Sequence, residues 1–332
     1  MITYILRRVL ILIPLIFLIS VVTFTIIQLP AGDYLSTYIA QLESQGTHMA
    51  EEQIQGLRIQ YGLDKPITYQ YFLWIRKILF EGNFGSSFSY SQPVLDVISE
   101  RIVLTMVITL TTSVFIWCVS LPIGIITALK QYSFVDYFWT FLGFVGMATP
   151  NFLLALVFAW LAFSIFGQNI IGLFSVEYAD APWNMAKVTD LLKHLWVPVI
   201  LIGTSGTAGF IRVVRGTLLD ELNKQYVITA RAKGMTESKL LFKYPVRIVL
   251  NPMISTIGWM LPGLVSGEVL VSMVLNIPTT GPVLLNALLA QDMYLAGGVL
   301  LILSVLTLIG TLVSDIALVW LDPRIRYERA VA

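Results

Sequence analysis

Cysteine, histidine and charge are what this chain has least of. Its 332 residues hold a single cysteine, Cys118, set in an apolar run. That excludes an intrachain disulfide and a cysteine metal cluster. The two histidines, His48 and His194, lie far apart in different predicted loops, which argues against zinc chemistry and a histidine-based triad. Net charge is +1, so nucleic-acid binding has no electrostatic footprint. No G-x-x-x-x-G-K-[ST] run occurs, so the chain lacks a phosphate loop of that kind. No paired carboxylates or nucleophile elbow fall in a plausible pocket, and the chain is read as catalysing no covalent chemistry.

What the chain has is apolar surface. Charged residues make up 12% of it, against about 25% in soluble domains. Hydrophobic residues make up 57%, and mean hydropathy is +0.80. Uncharged runs long enough to cross a bilayer, roughly 20 residues, give six candidate spans: Val9 to Leu29, Ile102 to Leu129, Tyr137 to Phe166, Leu195 to Ile211, Met253 to Leu275 and Leu295 to Leu321. The first run follows Arg7 and Arg8 but exceeds the roughly 7–15 apolar residues of a signal peptide, so it reads as a retained helix. With the N-terminus inside, the 21 Lys and Arg divide 14 to 7 in favour of the inner side. Both termini are then expected in the cytoplasm of a multi-pass membrane protein.

Residues 30–101 form an extracytoplasmic region too long for a mere connector. In it Tyr71, Trp74, Ile75 and Ile78 recur at i, i+3, i+4 and i+7, one apolar face of a helix. The stretch Glu51 to Gln60 is also amphipathic. A helical cap on the membrane surface and a docking surface for an external partner both fit this pattern. A second external loop, about Gly167 to Lys193, includes Asp180-Ala-Pro-Trp183 and is irregular.

The loop 216–251 is basic and patterned. Leu218, Leu222, Tyr226 and Ala230 recur every four residues, which predicts one apolar stripe on a helix. Gly234 ends that helix, since glycine tolerates the positive φ that follows a helix. Lys233 in the last turn suits the helix dipole. Thr236 is placed to cap a second helix with Glu237 in its first turn. Pro245 disrupts or kinks that second helix, and Pro252 opens the fifth span. The pattern is helix, glycine turn, helix. Such a pair can seat in a partner and pass on rigid-body motion, although an inert interfacial amphipathic helix also explains the charge.

This loop resembles the "EAA" coupling loop of ABC-importer permeases, in the variant of the dipeptide/oligopeptide family. The run Thr229-Ala-Arg-Ala-Lys-Gly234 reproduces that variant, with Gly234 at the central glycine, Ala230 and Thr229 at the two alanine positions, and Ile228 where many permeases carry glutamate. The match extends to Tyr4-Ile-Leu-Arg-Arg8, Tyr61-Gly-Leu-Asp-Lys-Pro66, Gly82-Asn-Phe-Gly-Ser86, Gln92-Pro-Val94 and Leu321-Asp-Pro-Arg-Ile325. It implies an all-α polytopic protein of the type I importer permease fold, a B-type subunit. Its divisions would be 1–29 for the N-terminus and first helix, 30–101 outside, and 102–332 for a five-helix permease domain. It further implies an ATPase-coupling loop comprising Tyr226, Thr229, Ala230, Arg231, Ala232, Lys233, Gly234 and Lys239. The expected partners are a second permease subunit, two ABC ATPase subunits that bind ATP and Mg, an extracytoplasmic solute-binding protein and membrane lipid. No cofactor, metal or nucleic acid is expected on this chain itself.

Within the spans, Gly143, Gly146, Gly203, Gly206, Gly209, Gly263, Gly267, Gly297, Gly298 and Gly310 allow close helix packing. Glu268 lies about 22 Å along the fifth span from Met253, and an intramembrane carboxylate is a functional candidate. Glu268, Ser272 and Asn151 are the pathway candidates, and Asp315 is expected to pair with an Arg. Pro122, Pro150 and Asn151 could kink their helices or open polar spots, and are read as structural. The substrate is expected to be a di- or oligopeptide; the same family also moves oligosaccharides or nickel complexes. A competing class, an ion-gradient-driven secondary transporter, would require an internal inverted repeat that the sequence does not display.

Overall fold

The computed structural model describes residues 2–28, 39, 54–56, 59, 65–167, 169–179 and 181–321. The Glu51 to Gln60 stretch, most of the Tyr61 to Pro66 motif, Asp180 and the chain beyond Leu321 therefore fall wholly or largely outside the described residues. The described chain is almost entirely helical and forms two compact units. One comprises Met1–Thr105 with Thr279–Leu306, the other Met106–Pro278 with Thr307–Ala332.

In the first unit, α1 (Ile2–Gln28) is followed by α2 (Ile67–Glu81). The i, i+3, i+4, i+7 face of α2 is the buried one, as its spacing predicts. Tyr71 and Trp74 are buried, packed with Val21 and Phe24 of α1 and with Leu301. Phe24 meets the rings of Tyr71 and Trp74 at 5.5 and 5.6 Å, and the Tyr71 hydroxyl lies 2.7 Å from Ser20 Oγ. This face is thus occupied within the unit. Gly82, at φ 63°, ends the helix.

A two-residue antiparallel hairpin follows, β1 (Ser86–Ser87) against β2 (Gln92–Pro93). It leads into α3 (Val94–Leu129). Asp292 ties the hairpin down: one carboxylate oxygen accepts from the Ser87 hydroxyl at 2.6 Å and the Ser89 amide at 3.0 Å. Its other oxygen accepts from the Leu295 amide at 3.2 Å, in the first turn of α12 (Met293–Leu321). Asp292 is fully buried, so these bonds replace all of its water. The unit's main core joins Val94, Val97 and Ile98 to Val283 and Ala287 of α11 (Thr280–Leu289) and to Leu295, Ala296 and Val299.

The second unit holds α4 (Phe134–Ala148), α5 (Asn151–Phe166) and α6 (Met185–Leu222). These are followed by α7 (Gln225–Ala232), α8 (Glu237–Lys243), α9 (Pro245–Ser255) and α10 (Ile257–Val274). Helices α4, α5, α9 and α10 all pack on α6. Glycine permits the closest approaches. A Cβ on Gly124 would fall 2.5 Å from Val214, one on Gly203 2.8 Å from Phe115, and one on Gly206 2.7 Å from Ile116. Gly209, by contrast, has nothing within 4 Å of such a Cβ.

Among the described residues four helices are long and apolar enough to cross a membrane, against six expected spans. They lie at Ile5–Ile26, Val94–Leu129, Met185–Leu222 and Met293–Leu321; a fifth is reached if α4 and α5 count together. The expected third span, Tyr137 to Phe166, is not one rod: α4 and α5 meet at 98°. The cause is Pro150, which supplies no amide hydrogen and drives the preceding Thr149 to an extended φ −89°, ψ 122°. Pro122, in contrast, lies inside an unbroken α3. The expected fourth span, Leu195 to Ile211, is the centre of a 38-residue helix about 57 Å long. Charged residues at both its ends hid its length from an apolar-run reading. Asn184 caps its N-terminus, accepting from the Lys187 amide.

Candidate coupling surface

The expected stripe Leu218, Leu222, Tyr226 and Ala230 does not run on one helix. Helix α6 stops at Leu222, because Lys224 takes an extended φ −72°, ψ 147°, and α7 starts afresh at Gln225. Leu218 stays with the core of the spans, while Ala230 joins a separate small core.

Helix α7 ends at the glycine the sequence singled out. Gly234 has φ 79°. Its amide donates to the Arg231 carbonyl at 3.0 Å, and the Met235 amide donates to the Ala230 carbonyl at 3.3 Å. This pair of bonds is the Schellman closure, and Met235 packs against the small core that contains Ala230. Thr236 stands at the N-cap of α8 but makes no side-chain cap bond. The turn is instead braced by Arg231, whose Nε and Nη2 donate to Glu237 at 2.5 and 3.0 Å. Of the two expectations for Pro245, disruption holds and a kink does not: α8 stops just before it. Tyr244, at φ −121°, ψ −78°, ends α8, and Pro245 opens α9 at a position where its missing amide hydrogen costs nothing. Pro252 is likewise inside α9 rather than at the start of a span.

The helix pair has its own core of Val227, Ala230 and Leu240, with Met235 and Tyr244 against it. Val227 and Leu240 are fully buried. Leu241, the next residue, joins a different cluster. There it meets Ile125 and Ala128 of α3, Val214 and Leu218 of α6, and Val246, Val249 and Met253 of α9. Arg247 adds a bond from Nη2 to the Leu321 carbonyl at 3.0 Å. The pair is therefore packed onto the ends of long apolar helices. Sequence reasoning passed over Val227, Leu240 and Leu241; their signal was an apolar run inside a basic loop.

Between α7 and α8 lies an open groove of 630 Å³. Tyr226, Thr229, Ala230, Lys233, Gly234 and Lys239 line it, with Met235, Thr236 and Tyr244. Arg231 and Ala232, from the same predicted set, are exposed outside that lining. The groove carries two cations, Lys233 and Lys239, and no carboxylate. Tyr226 donates its hydroxyl to Glu221. Burial raises the Tyr226 pKa, and the hydrogen bond and charge of Glu221 raise it further, so the phenol stays protonated.

The hydrogen bonds from Arg231 hold the Glu237 carboxyl below its ordinary 4.5, outweighing slight desolvation, and the guanidinium charge adds to the effect. A depressed acid contributes stability above its unfolded pKa and loses it as pH falls through the folded value. Glu237→Gln is therefore expected to lower the protection of α7–α8 amides from hydrogen exchange at neutral pH. The difference from the parent should shrink as pH falls below 4.5 and be gone only below the lower folded value. A pH-independent difference would remove the ion pair from this account.

The pathway candidates are not brought together with this groove. Asn151 begins α5 and directs Nδ2 toward the Ile202 carbonyl and Ser205 Oγ at 3.5 and 3.4 Å. Ser272 is fully buried on α10. Glu268 also lies on α10, and its side chain is outside the described residues.

The family described as "Binding-protein-dependent transport system inner membrane component" matches residues 120–327, which contain the whole helix pair. The chain belongs to this family. The family's membrane-component N-terminal region matches residues 1–109. The permease is 32% identical over 328 residues to the oligopeptide transport system permease protein AppB of Bacillus subtilis (strain 168), covering 98% of this chain and 100% of that one. It is 29% identical to the dipeptide transport system permease protein DppB of Lactococcus lactis subsp. cremoris, with 98% and 100% covered. It is 28% identical to the glutathione transport system permease protein GsiC of Escherichia coli O1:K1, with 99% and 100% covered. These relatives are permease subunits rather than ATPases. The permease is thus a multi-pass inner-membrane subunit of an ABC importer, working in a complex with other subunits.

Proposed function

We propose that this permease forms half of the translocation pathway for di- or oligopeptides and takes its power stroke through the α7–α8 groove. A second homologous permease supplies the other half. Two separate ATPase subunits bind ATP and Mg, and an extracytoplasmic binding protein delivers the substrate. Both termini lie in the cytoplasm, as the excess of Lys and Arg on that side implies. The observation that carries the reading is the Schellman-closed helix pair, whose Leu240 and Leu241 connect the groove's own core to the ends of α3, α6 and α9. Motion of an element seated in the groove would reach the spans as a rigid-body shift. The names of the relatives support peptides as substrate. Asn151, Ser272 and Glu268 are the residues proposed for the path, Glu268 to attract the peptide ammonium.

Affinity purification of the tagged permease from native membranes tests this. Two ATPases and a second permease should co-purify, and the reconstituted complex should take up labelled dipeptide only with ATP. A permease that purifies alone and transports without ATP, on an ion gradient, would replace this reading with a secondary transporter. ATP-driven uptake that peptides fail to compete would leave the coupling scheme standing and move the substrate to oligosaccharides or nickel complexes.

A further inference from the structure

At the end of α6 that leads into the helix pair, a recess of 280 Å³ opens between α4 and α6. Tyr132, Asp136, Tyr137, Thr140 and Phe144 line one side, Arg212 and Arg215 the other. Its two arginines are not equivalent. Arg215 is spent on Asp136, with Nε and Nη2 each 2.8 Å from a carboxylate oxygen. The remaining capacity of Asp136 goes to the Tyr132 amide at 3.0 Å and the Thr140 hydroxyl at 3.4 Å. Arg212 has no carboxylate partner among the described residues. It is exposed, with its guanidinium over the Phe144 ring at 5.7 Å. The recess therefore carries one net positive charge.

Its surroundings are those of a membrane interface. Tyr132, Phe134, Tyr137, Phe138, Phe141 and Phe144 are all exposed, and Phe134 stacks on Phe138 at 6.2 Å. Tyrosines such as Tyr132 and Tyr137 gather at the headgroup level, and the phenylalanines beside them offer apolar surface to acyl chains. Tyr132 is held at φ 61°, a left-handed conformation that is costly for a bulky side chain. Its amide bond to Asp136 offsets that cost and keeps Tyr132 at the mouth of the recess.

We propose that this recess binds the phosphate of an anionic phospholipid, with Arg212 as its charge partner and the exposed aromatics of α4 against its chains. A basic pocket beside interfacial aromatics selects anionic headgroups, and guanidinium suits phosphate because it donates two parallel hydrogen bonds. The phosphate lies on a lipid rather than free in solution because the flank of the site is apolar.

The test uses the intact complex equilibrated with vesicles of phosphatidylglycerol and phosphatidylcholine in equal parts, then native mass spectrometry of the lipids retained. Phosphatidylglycerol should be retained preferentially. Arg212→Ala should reduce that retention about tenfold, the order of one lost charge-assisted contact, and Arg212→Lys should restore part of it. The variant leaves the Arg215–Asp136 pair intact, so the second permease and ATPases should still co-purify. Equal retention of both lipids, or unchanged retention in Arg212→Ala, would overturn the site. Displacement of the lipid by excess inorganic phosphate would make it a free-anion site. Loss of the second permease from the variant would make it a subunit contact.

Discussion

Gly234→Val in the assembled importer should abolish most peptide uptake, by tenfold or more, while Gly234→Asn retains most of it. At φ 79° a residue with a Cβ loses about 1–2 kcal/mol, and a β-branched one loses more because both its γ groups crowd the backbone. A cost of 1.4 kcal/mol is already a factor of ten in the ratio of closed to open turn. Asparagine enters the left-handed region several times more readily than most residues. Space is not the issue, since nothing lies within 4 Å of a Cβ built there. The two variants therefore separate backbone conformation from bulk. Uptake into proteoliposomes, normalised to assembled complex, reads the difference. Equal activity of the valine and asparagine variants would show that the turn does not govern coupling.

The second large effect is on folding. Arg215→Ala leaves the Asp136 carboxylate, whose side chain is 3% exposed, without its cation. Removing one partner of such a pair costs about 3–5 kcal/mol, a large part of the whole stability of a domain. The expected outcome is a steep loss of folded permease from membranes, with α4 released from α6. Adding Asp136→Asn should recover much of it, because the amide oxygen can still accept from the Tyr132 amide, its NH2 can donate to the Thr140 hydroxyl, and no charge is stranded. Fluorescence-detected size-exclusion chromatography of solubilised membranes measures both. If the double variant is as poor as the single one, the arginine acts by packing rather than by charge.

These two sites differ in how plainly the sequence announced them. Gly234 could be read in advance because a glycine after a basic helical run has a local cause, the positive φ of a helix end. The buried face of α2 was equally legible, since Tyr71, Trp74, Ile75 and Ile78 share one side of any helix they form. The Arg215–Asp136 pair joins residues 79 apart, and Asp292 reaches Ser87 across 205. Neither has a local signature, because each depends on which helices become neighbours. Apolar-run length misjudged two spans for opposite reasons. It cut α6 short where charged ends continue the helix, and it carried one span across Pro150, itself a candidate kink, because hydropathy stays high while the backbone turns. The Leu218 to Ala230 periodicity misled because Lys224 breaks the helix inside an apolar rhythm that continues across the break.

Leu240 and Leu241 are consecutive, yet each belongs to a different core. On a helix, neighbours point about 100° apart, so α8 works like a crankshaft with one throw in the helix pair's own core and the next in the span ends. A crank has no slack: whatever angle is imposed at Leu240 is imposed at Leu241. One residue inserted between them would rotate the throws out of phase by about 100°, leaving both cores apolar and each half soundly packed, but the engine disconnected from the wheels.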